Sequence, residues 1–431
     1  MVASSLSPFS CLAAPKGAGV FRLIHTADWH LGKPLADLDR TEEYRRFLDF
    51  LLETLLSTQA DALVVAGDVF DCATPPQSAV RLYFDFLTAL YTRSHCRVVV
   101  TAGNHDSPSQ MESPRDLLSV VRTRVVAALP VDRSAVLIPL PSPESPVLVV
   151  AAVPFLRERD LRTGRLGQSA VEIERDLREG LRCRYEEVAE AARPWRERGI
   201  PILAMGHLTA LGASTSESER EIHVGGLGKI GADAFPEAFS YVALGHLHRP
   251  QAVGGRPHIR YSGSPIALSF SETEPKELRL LDFENGSLVT NEAIPVPQPR
   301  SLVVLRVPQS DLESRLLAFT PPPSELPPWV EVVVENASFG VDLYKTVQDL
   351  VEGRPYHVVK VTAERAGDKA ALGLEDDSPE EEAENLLSDP KAVFRRRLDQ
   401  ESDLDEAARA ALETIFAELY DRHLEGEGND R

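Results

Sequence analysis

The stretch Ala62-Leu-Val-Val-Ala-Gly-Asp-Val-Phe-Asp71 runs from five apolar residues directly into a glycine and two aspartates. A short apolar run of this kind is typical of a strand buried inside an α/β sheet. The same transition recurs in the first 250 residues, so polar side chains are predicted to gather where strands end. The recurring motifs are Asp28-Trp-His30, Gly67-Asp68-Val-Phe-Asp71, Gly103-Asn104-His105-Asp106, Gly206-His207 and Gly245-His246-Leu-His248.

The five motifs together supply the side chains of a two-metal phosphoesterase centre. Two divalent ions about 3.5–4 Å apart can clamp the attacking and leaving oxygens of a phosphate ester. An Asp-x-His or His-x-His spacing puts two donors on the same side of an extended segment. A mixture of oxygen and imidazole donors suits Mn²⁺, Fe²⁺ or Zn²⁺ better than Mg²⁺ alone. The candidate ligands are Asp28, His30, Asp68, Asn104, His207, His246 and His248.

Other polar residues near the motifs have different predicted roles. His105 lies inside the third motif and is left over as a candidate acid. Asp71 and Asp106 are predicted to support the ligands or stabilise turns rather than bind metal. The histidines without a motif are predicted to be structural or surface residues. These are His25, His95, His223 and His258.

Strand-like and helix-like patterns alternate over the first 270 residues, which predicts a layered α/β domain. The predicted strands are residues 21–26, 62–66, 97–101, 147–153, 200–205 and 241–244. Helical periodicity covers residues 41–57, 77–92 and 170–192. Asn285-Gly286 separates two apolar runs, 277–283 and 287–294, and predicts a β-hairpin.

Changes in composition predict four segments. Residues 1–20 lack the basic start and apolar core of a signal peptide and are predicted to be a disordered extension. Residues 21–296 form the main domain, and prolines at 295, 297 and 299 mark its end. Residues 297–366 read as strand, helix, strand, helix, strand, a small α/β domain. Residues 367–431 combine an acidic linker with a helical tail, which either packs on its own protein or, as we favour, docks a partner.

Composition and charge place the chain among soluble globular proteins, because no apolar stretch reaches the length of a membrane span. The net charge of −20 argues against nucleic-acid binding, but residues 371–431 alone contain 19 acidic and 7 basic residues. A basic face on the main domain is therefore compatible with the sequence. The four cysteines are scattered without a CxxC pair, which fits a reducing cytoplasm.

Three longer signatures narrow the interpretation. These are His25-Thr-Ala-Asp-Trp-His-Leu-Gly32, Ala66-Gly-Asp-Val-Phe-Asp71 and Tyr261-Ser-Gly-Ser-Pro-Ile-Ala-Leu-Ser-Phe-Ser-Glu272. They resemble the SbcD family of bacterial nuclease subunits, within the calcineurin-like metallophosphoesterase superfamily. The resemblance is specific over about residues 21–283. It implies an α/β fold with a four-layer α-β-β-α domain, a small α/β capping domain, a C-terminal helical tail, and Mn²⁺-dependent cleavage of double-stranded DNA ends and hairpins.

The resemblance also implies specific roles and partners. Asp28, His30 and His248 would hold the first ion, Asn104, His207 and His246 the second, and Asp68 would bridge them. His105 would protonate the leaving 3′ oxygen or stabilise charge in the transition state. The tail helices would bind an SbcC-like ATPase. A homodimer within a heterotetramer would use helices after the second and third motifs, although core burial equally explains the apolar residues there, which are Leu82, Phe84, Phe86, Leu87, Leu90 and Tyr91.

Two alternative functions are compatible with the motifs. A phosphodiesterase for small or cyclic nucleotides would use the same metals, but it would need neither the 262–272 signature nor the extra domain and tail. A non-catalytic scaffold would keep the fold and lose the metals. Intact donors at all seven positions argue against a scaffold.

Overall fold

The computed structural model describes residues 16–164, 167–209, 231–337 and 342–364, together with 394, 412, 415 and 416. The described residues contain fifteen strands, which form three sheets. In chain order the strands are β1 (Phe21–Thr26), β2 (Ala62–Ala66), β3 (Arg97–Thr101), β4 (Thr123–Val126), β5 (Leu137–Leu140), β6 (Leu148–Ala151), β7 (Ile202–His207), β8 (Tyr241–Gly245), β9 (Gln251–Val253), β10 (Arg256–Tyr261), β11 (Glu277–Glu284), β12 (Ser287–Pro295), β13 (Arg300–Pro308), β14 (Leu326–Glu335) and β15 (His357–Glu364).

The helices of the described residues include three long ones and several single turns. In chain order they are α1 (Thr41–Ser57), α2 (Gln77–Arg93), α3 (Pro108–Glu112), α4 (Arg115–Val120), α5 (Glu158–Leu161), α6 (Ala170–Ala191), α7 (Arg193–Arg196), α8 (Leu312–Ala318) and α9 (Leu343–Val351). The longest, α6, begins with a capping box. The Ser169 hydroxyl accepts a hydrogen bond from the Glu172 backbone, and the Glu172 carboxylate accepts one from the Ser169 backbone.

The first sheet has the strand order β12-β11-β1-β2-β3-β4, and β1 to β4 are parallel. Its two faces belong to different cores, because successive side chains of a strand point to opposite sides. Leu63 and Val65 of β2 pack with apolar side chains of α1 and α2. Val64 and Ala66 lie in a second core, which includes side chains of the other large sheet.

The second sheet has the order β5-β6-β7-β8-β10-β9, with β6, β7, β8 and β10 parallel. Val149, Leu203 and Val242 from this sheet share a core with Leu181 and Tyr185 of α6. The order of layers is therefore α1 and α2, first sheet, second sheet, α6. This arrangement confirms the predicted four-layer α-β-β-α fold.

A β-hairpin extends the first sheet beyond β1. β11 pairs antiparallel with β1, and the β11–β12 turn has positive φ at both Asn285 (50°) and Gly286 (79°). Both angles match the type I′ turn that Asn-Gly predicts. The pairing is reinforced by the buried Arg22 of β1, whose guanidinium donates two hydrogen bonds of 2.8 Å to the Asp282 carboxylate of β11.

A smaller sheet, ordered β13-β14-β15, belongs to the second part of the chain. β14 and β15 are parallel, as expected of two strands joined by a helix, here α9. Val332 of β14 and Val347 of α9 are fully buried in the core of this sheet. The succession β13, α8, β14, α9, β15 confirms the predicted strand–helix alternation.

The part of the chain that the structure describes divides into two compact units, one from residues up to 302 together with 322–328 and the other from residues 303–321 together with those after 328. The segment boundaries drawn from the sequence remain predictions. The predicted tail lies almost entirely outside the described residues, as do most of residues 1–20. No helix within the described ranges is long and apolar enough to cross a bilayer.

Candidate metal centre

The eight candidate residues lie at the carboxyl ends of five strands drawn from both large sheets. Parallel strands present their carboxyl ends at one edge, so their loops converge there. The first sheet contributes β1, β2 and β3, and the second contributes β7 and β8. Asp28 and His30 follow β1, Asp68 follows β2, Asn104 and His105 follow β3, His207 ends β7, and His246 and His248 follow β8.

Four of the predicted ligands have the left-handed backbone conformation, which is uncommon outside glycine. Their φ angles are 53° at Asp28, 47° at His30, 48° at Asp68 and 99° at His246. Backbone hydrogen bonds hold two of them, because Asp28 donates to Gly67 (3.1 Å) and His30 donates to Asp68 (3.0 Å). Such conformations cost about 1–3 kcal/mol each and concentrate where function fixes the backbone.

Two glycines allow the ligand loops to approach one another. Gly67 has a φ of 86°, and a Cβ added there would collide with the imidazole of His207. A Cβ at Gly103 would collide with the carboxylate of Asp68. Glycine is thus required by the close approach of the loops and, at Gly67, also by its φ.

The structure brings all seven predicted ligands and His105 together. Three groups of buried residues each have ligand atoms within 4.8 Å of one another. Asn104 joins them, since its Oδ1 lies 2.9 Å from His207 Nε2 and 3.2 Å from His246 Nδ1. The three groups are Asp28 with His30 and His248, Asp28 with Asp68 and His207, and His30 with Asp68 and His105.

The protein alone does not satisfy these donor atoms. Asp28 Oδ2 and His30 Nε2 are buried and have no hydrogen-bond partner among the described residues, which costs free energy. Burial raises the pKa of Asp28 to about 7. Burial would lower the pKa of His207, but Asp68 and Asp28 outweigh it and raise that pKa to about 9. Divalent cations would satisfy these atoms and favour the ionised carboxylate, so the donor set fits metal ions.

His105, the histidine predicted to act as an acid, is held by two hydrogen bonds. Its Nδ1 lies 2.6 Å from the Asp71 backbone oxygen, which makes Nδ1 the protonated nitrogen. Its backbone N–H donates to Asp68 Oδ1 at 2.9 Å. The imidazole is buried, and its ring centroid lies 4.7 Å from that of His30. His105 therefore has Nδ1 engaged with the backbone, while the residue belongs to a donor group with His30 and Asp68.

The two aspartates predicted to have supporting roles hold the loops rather than joining the donor groups. Asp106 accepts hydrogen bonds from the backbone of Val69 (3.2 Å), Phe70 (3.0 Å) and Gly103 (2.9 Å), which ties the second motif to the third. Asp71 Oδ1 lies 3.1 Å from His30 Nδ1. That contact fixes the His30 ring so that Nε2 faces the cluster.

Glu272, which the motif interpretation gave no role, supports His248 in the same way. Its Oε1 lies 3.2 Å from His248 Nδ1, and its Oε2 forms a buried ion pair with Lys276. Burial would raise the pKa of Glu272, but His248 and Lys276 outweigh it and hold it well below its usual range. Lys276 also donates to the backbone oxygen of His248 (3.1 Å) and to Ser264 Oγ (2.9 Å).

The histidines outside the motifs that the structure describes belong to none of the donor groups. His25 is buried beside Tyr241, with 3.2 Å between His25 Nδ1 and the hydroxyl oxygen. Burial lowers the pKa of His25 to about 3, so it is neutral. His95 is exposed and His258 is half-buried. His223 lies outside the described residues.

Comparisons with known proteins support the geometry. A family model described as calcineurin-like phosphoesterase matches residues 21–250. Another, described as type 5 capsule protein repressor C-terminal domain, matches residues 298–402. The SbcD subunit of the SbcCD nuclease of Escherichia coli K12 is 36% identical over 397 residues, covering 92% of this chain and 96% of the relative. The chain belongs to the SbcD family of calcineurin-like phosphoesterases.

Other SbcD relatives match a shorter part of the chain. The SbcD protein of Rhodobacter capsulatus is 40% identical over 299 residues, 67% of this chain and 71% of the relative. That of Bacillus subtilis is 32% identical over 284 residues, 65% of this chain and 71% of the relative. Membership in this phosphoesterase family and the buried donor groups make the chain a metal-dependent phosphoesterase that uses divalent ions.

The Glu272→Gln variant tests the support of His248. We expect its affinity for Mn²⁺ to fall by about 10- to 100-fold if His248 binds metal, as typically follows loss of an outer partner of a metal-binding histidine. Titration calorimetry measures this directly. Glu274→Gln, a more exposed neighbour paired with Arg249, is the matched control and should bind Mn²⁺ normally.

Lys276 would lose its buried partner in Glu272→Gln, so a loss of folding must be separated from a loss of metal affinity. The double variant Glu272→Gln/Lys276→Met removes the stranded ammonium. It should regain thermal stability and keep the weakened metal site. Normal Mn²⁺ affinity in both variants would show that Glu272 does not position His248 for the metal.

Proposed function

We propose that this chain is the nuclease subunit of a two-component DNA nuclease that acts in DNA repair and recombination. The main support for the proposal is the buried cluster of candidate metal ligands at the ends of five strands, together with His105, which is not needed as a ligand. The near-complete overlap with a relative named as a nuclease subunit supports DNA as the substrate. We propose double-strand exonuclease activity together with hairpin or single-strand endonuclease activity.

The proposed roles of the side chains follow their grouping. Asp28, His30 and His248 would hold one ion, and Asn104, His207 and His246 the other, with Asp68 between them. The close approach of Asp28 to His248 and of Asn104 to His207 supports this division. When bound, the two ions would supply Lewis-acid activation of the phosphate and the attacking water. The mixed imidazole and oxygen donors support Mn²⁺ as the native metal.

In this proposal His105 moves the proton. Its Nδ1–H donates to the Asp71 backbone oxygen, so Nε2 of the protonated ring can deliver a proton to the leaving 3′ oxygen. Asp71 thus contributes twice, through its carboxylate to His30 and through its carbonyl to His105. These contacts keep the ring orientation fixed before substrate binds, which reduces reorganisation in the transition state.

We also propose two protein partners. The tail, residues 367–431, would bind an SbcC-like ATPase, and the name of the SbcCD relatives supports that pairing. A homodimer would form through the helices after the second and third motifs. Exposed apolar side chains there support it: Phe84 on α2 is 38% exposed, and Leu117 and Val120 on α4 are 75% and 66% exposed.

A cleavage assay tests the function. End-labelled duplex DNA and a DNA hairpin are incubated with Mn²⁺, Mg²⁺ or chelator, with and without the cognate ATPase. Bis(p-nitrophenyl) phosphate serves as the small ester. We expect Mn²⁺-dependent cleavage of DNA and little hydrolysis of the small ester. Hydrolysis of the small ester alone would favour a small-molecule phosphodiesterase, and inactivity in every arm would favour a scaffold.

A further inference from the structure

A cavity of about 350 Å³ opens beside the metal centre. Its lining comes from the segments that follow three strands: residues 103 and 107–109 after β3, 127–129 after β4, and 155, 157, 159 and 160 after β6. Two of these strands belong to the first sheet and one to the second. The cavity therefore opens at the same sheet edges as the donor cluster, and Gly103 lines it directly before the predicted ligand Asn104.

Phe155 lies between this cavity and the metal centre. Its ring is half-buried, and its centroid lies 6.2 Å from that of His207 in an edge-on arrangement. The Phe155 backbone N–H donates to the Ala102 oxygen (2.9 Å), and Ala102 in turn donates to Val126 (3.2 Å). These bonds join the three lining segments and hold the backbone of Phe155 in place. The phosphoesterase chemistry does not use the Phe155 ring.

The cavity also has positive charge at its rim. Arg157 and Arg159 are exposed, and neither guanidinium makes an ion pair with another residue in the described ranges. The one carboxylate of the lining, Asp160, accepts a hydrogen bond from the Arg157 backbone N–H (2.9 Å). An anionic ligand reaching from the metal centre would meet two available guanidinium groups.

We propose that this cavity is a subsite for one nucleotide of the DNA strand next to the scissile phosphate. Phe155 stacks on the base, and Arg157 and Arg159 contact the neighbouring phosphates. Aromatic rings stack on unpaired bases of any sequence, while arginines follow the backbone. The volume lies near the lower end of the range of about 300–1,000 Å³ for small-ligand sites, which suits one nucleotide rather than a duplex.

This inference rests on the proposed nuclease function and specifies how the strand is held. The stacked base must be out of the duplex, so the subsite favours DNA ends, hairpin loops and single strands. Stacking of an aromatic ring on a base does not distinguish one base from another. Cleavage should therefore depend on the presence of a base at this position and not on its identity.

The test pairs a protein change with a DNA change. Short single-stranded oligonucleotides carry one abasic nucleotide at successive positions around a cleavage site, and single-turnover rates are measured with Mn²⁺. For the unmodified protein we expect a rate loss at one abasic position, of roughly 5- to 150-fold, the range that corresponds to loss of one base–aromatic stack. Phe155→Ala should show that loss on intact DNA and no further loss on the abasic strand.

Two controls separate stacking from a damaged fold. Phe155→Tyr keeps the ring and should retain the sensitivity to the abasic position. Because Phe155 adjoins His207, the Mn²⁺ stoichiometry of each variant is measured by calorimetry and must equal that of the unmodified protein. Equal rates for Phe155→Ala and the unmodified protein on intact DNA, or fully additive losses on the abasic strand, would overturn the proposal.

The arginines are tested through salt dependence. Arg159→Gln should weaken oligonucleotide binding about equally for all sequences and reduce the salt slope by roughly 0.7, as expected for one lost phosphate contact on a single strand. Arg193→Gln, an exposed arginine on α7, is the matched control and should leave the slope unchanged. If the unmodified protein cleaves no DNA either alone or with the cognate ATPase, the proposed function fails; if it cleaves DNA but ignores every abasic position, only the subsite fails.

Discussion

The Asp68→Asn variant is expected to bind at most one Mn²⁺ ion tightly and to lose DNA cleavage by about a thousandfold. Asp68 is buried at the centre of the cluster, with Oδ2 3.5 Å from His30 Nε2 and 3.2 Å from His207 Nε2. Asp68 thus approaches histidines of both proposed ion positions. Asp28 also lies near both, but its Oδ1 is 3.8 Å from His207 Nδ1, farther than Asp68 Oδ2 is from His207 Nε2. Asparagine keeps the shape and removes the charge, and loss of one partner from a buried charged group costs about 3–5 kcal/mol.

The measurement is Mn²⁺ stoichiometry by calorimetry together with DNA cleavage at saturating metal. The hydrogen bond from the His105 backbone to Asp68 Oδ1 can still be made by an amide oxygen, so the third motif should keep its conformation. Asp349→Asn, at an exposed position of α9, is the control for a lost carboxylate. Two tightly bound ions and normal cleavage in Asp68→Asn would exclude a bridging role.

The sequence predicted the strands that carry the motifs because burial on both faces leaves a local signature. Residues 62–66 are apolar throughout and residues 98–101 are all β-branched, and the structure has β2 and β3 with the predicted bounds, 62–66 and 97–101. α1 was predicted to the residue from its periodicity. β4, β5, β9 and β10 were not predicted. Strands such as Arg256–Tyr261 mix charged and apolar residues without regular alternation, and β5 has only four residues, one of them a proline.

The supporting contacts of the site could not be read from local pattern. Glu272 and Lys276 lie 24 and 28 residues beyond His248, in or next to a segment without regular structure. Only the three-dimensional fold brings Glu272 and Lys276 next to His248. Phe155 is a single aromatic after a strand, a pattern with no specific meaning until its contact with His207 is known.

Helix α2 shows how a correct pattern can still leave function undecided. Six apolar residues of this region were compatible with either core packing or a dimer surface. Phe86, Leu87 and Leu90 are buried, whereas Leu82 and Tyr91 are half-buried and Phe84 is exposed. The apolar stripe of this helix is wider than the part that the core buries, so the sequence was compatible with both interpretations. The structure therefore assigns three of the six residues to the core, and the dimer surface stays a proposal.

The His105→Ala variant is expected to keep both Mn²⁺ ions and DNA binding while cleavage falls by about 10²–10⁴-fold, the usual contribution of a positioned acid. Metal retention is the decisive part, because His105 also lies within ligand distance of His30 and Asp68. Cleavage would fall whether the histidine that is removed is an acid or a metal ligand. Only loss of a ligand would lower the Mn²⁺ stoichiometry, so calorimetry separates the two roles. His95→Ala, an exposed histidine, is the control.

A substrate with a better leaving group makes the assignment sharper. If His105 protonates the leaving 3′ oxygen, a DNA strand with sulfur in place of that oxygen should need no acid, because a thiol ionises near pH 8.5, far more readily than an alcohol. The defect of His105→Ala should then shrink to within a few fold on the sulfur substrate and persist on ordinary DNA. An equal defect on both substrates would contradict proton donation and leave charge stabilisation or metal binding as the role of His105.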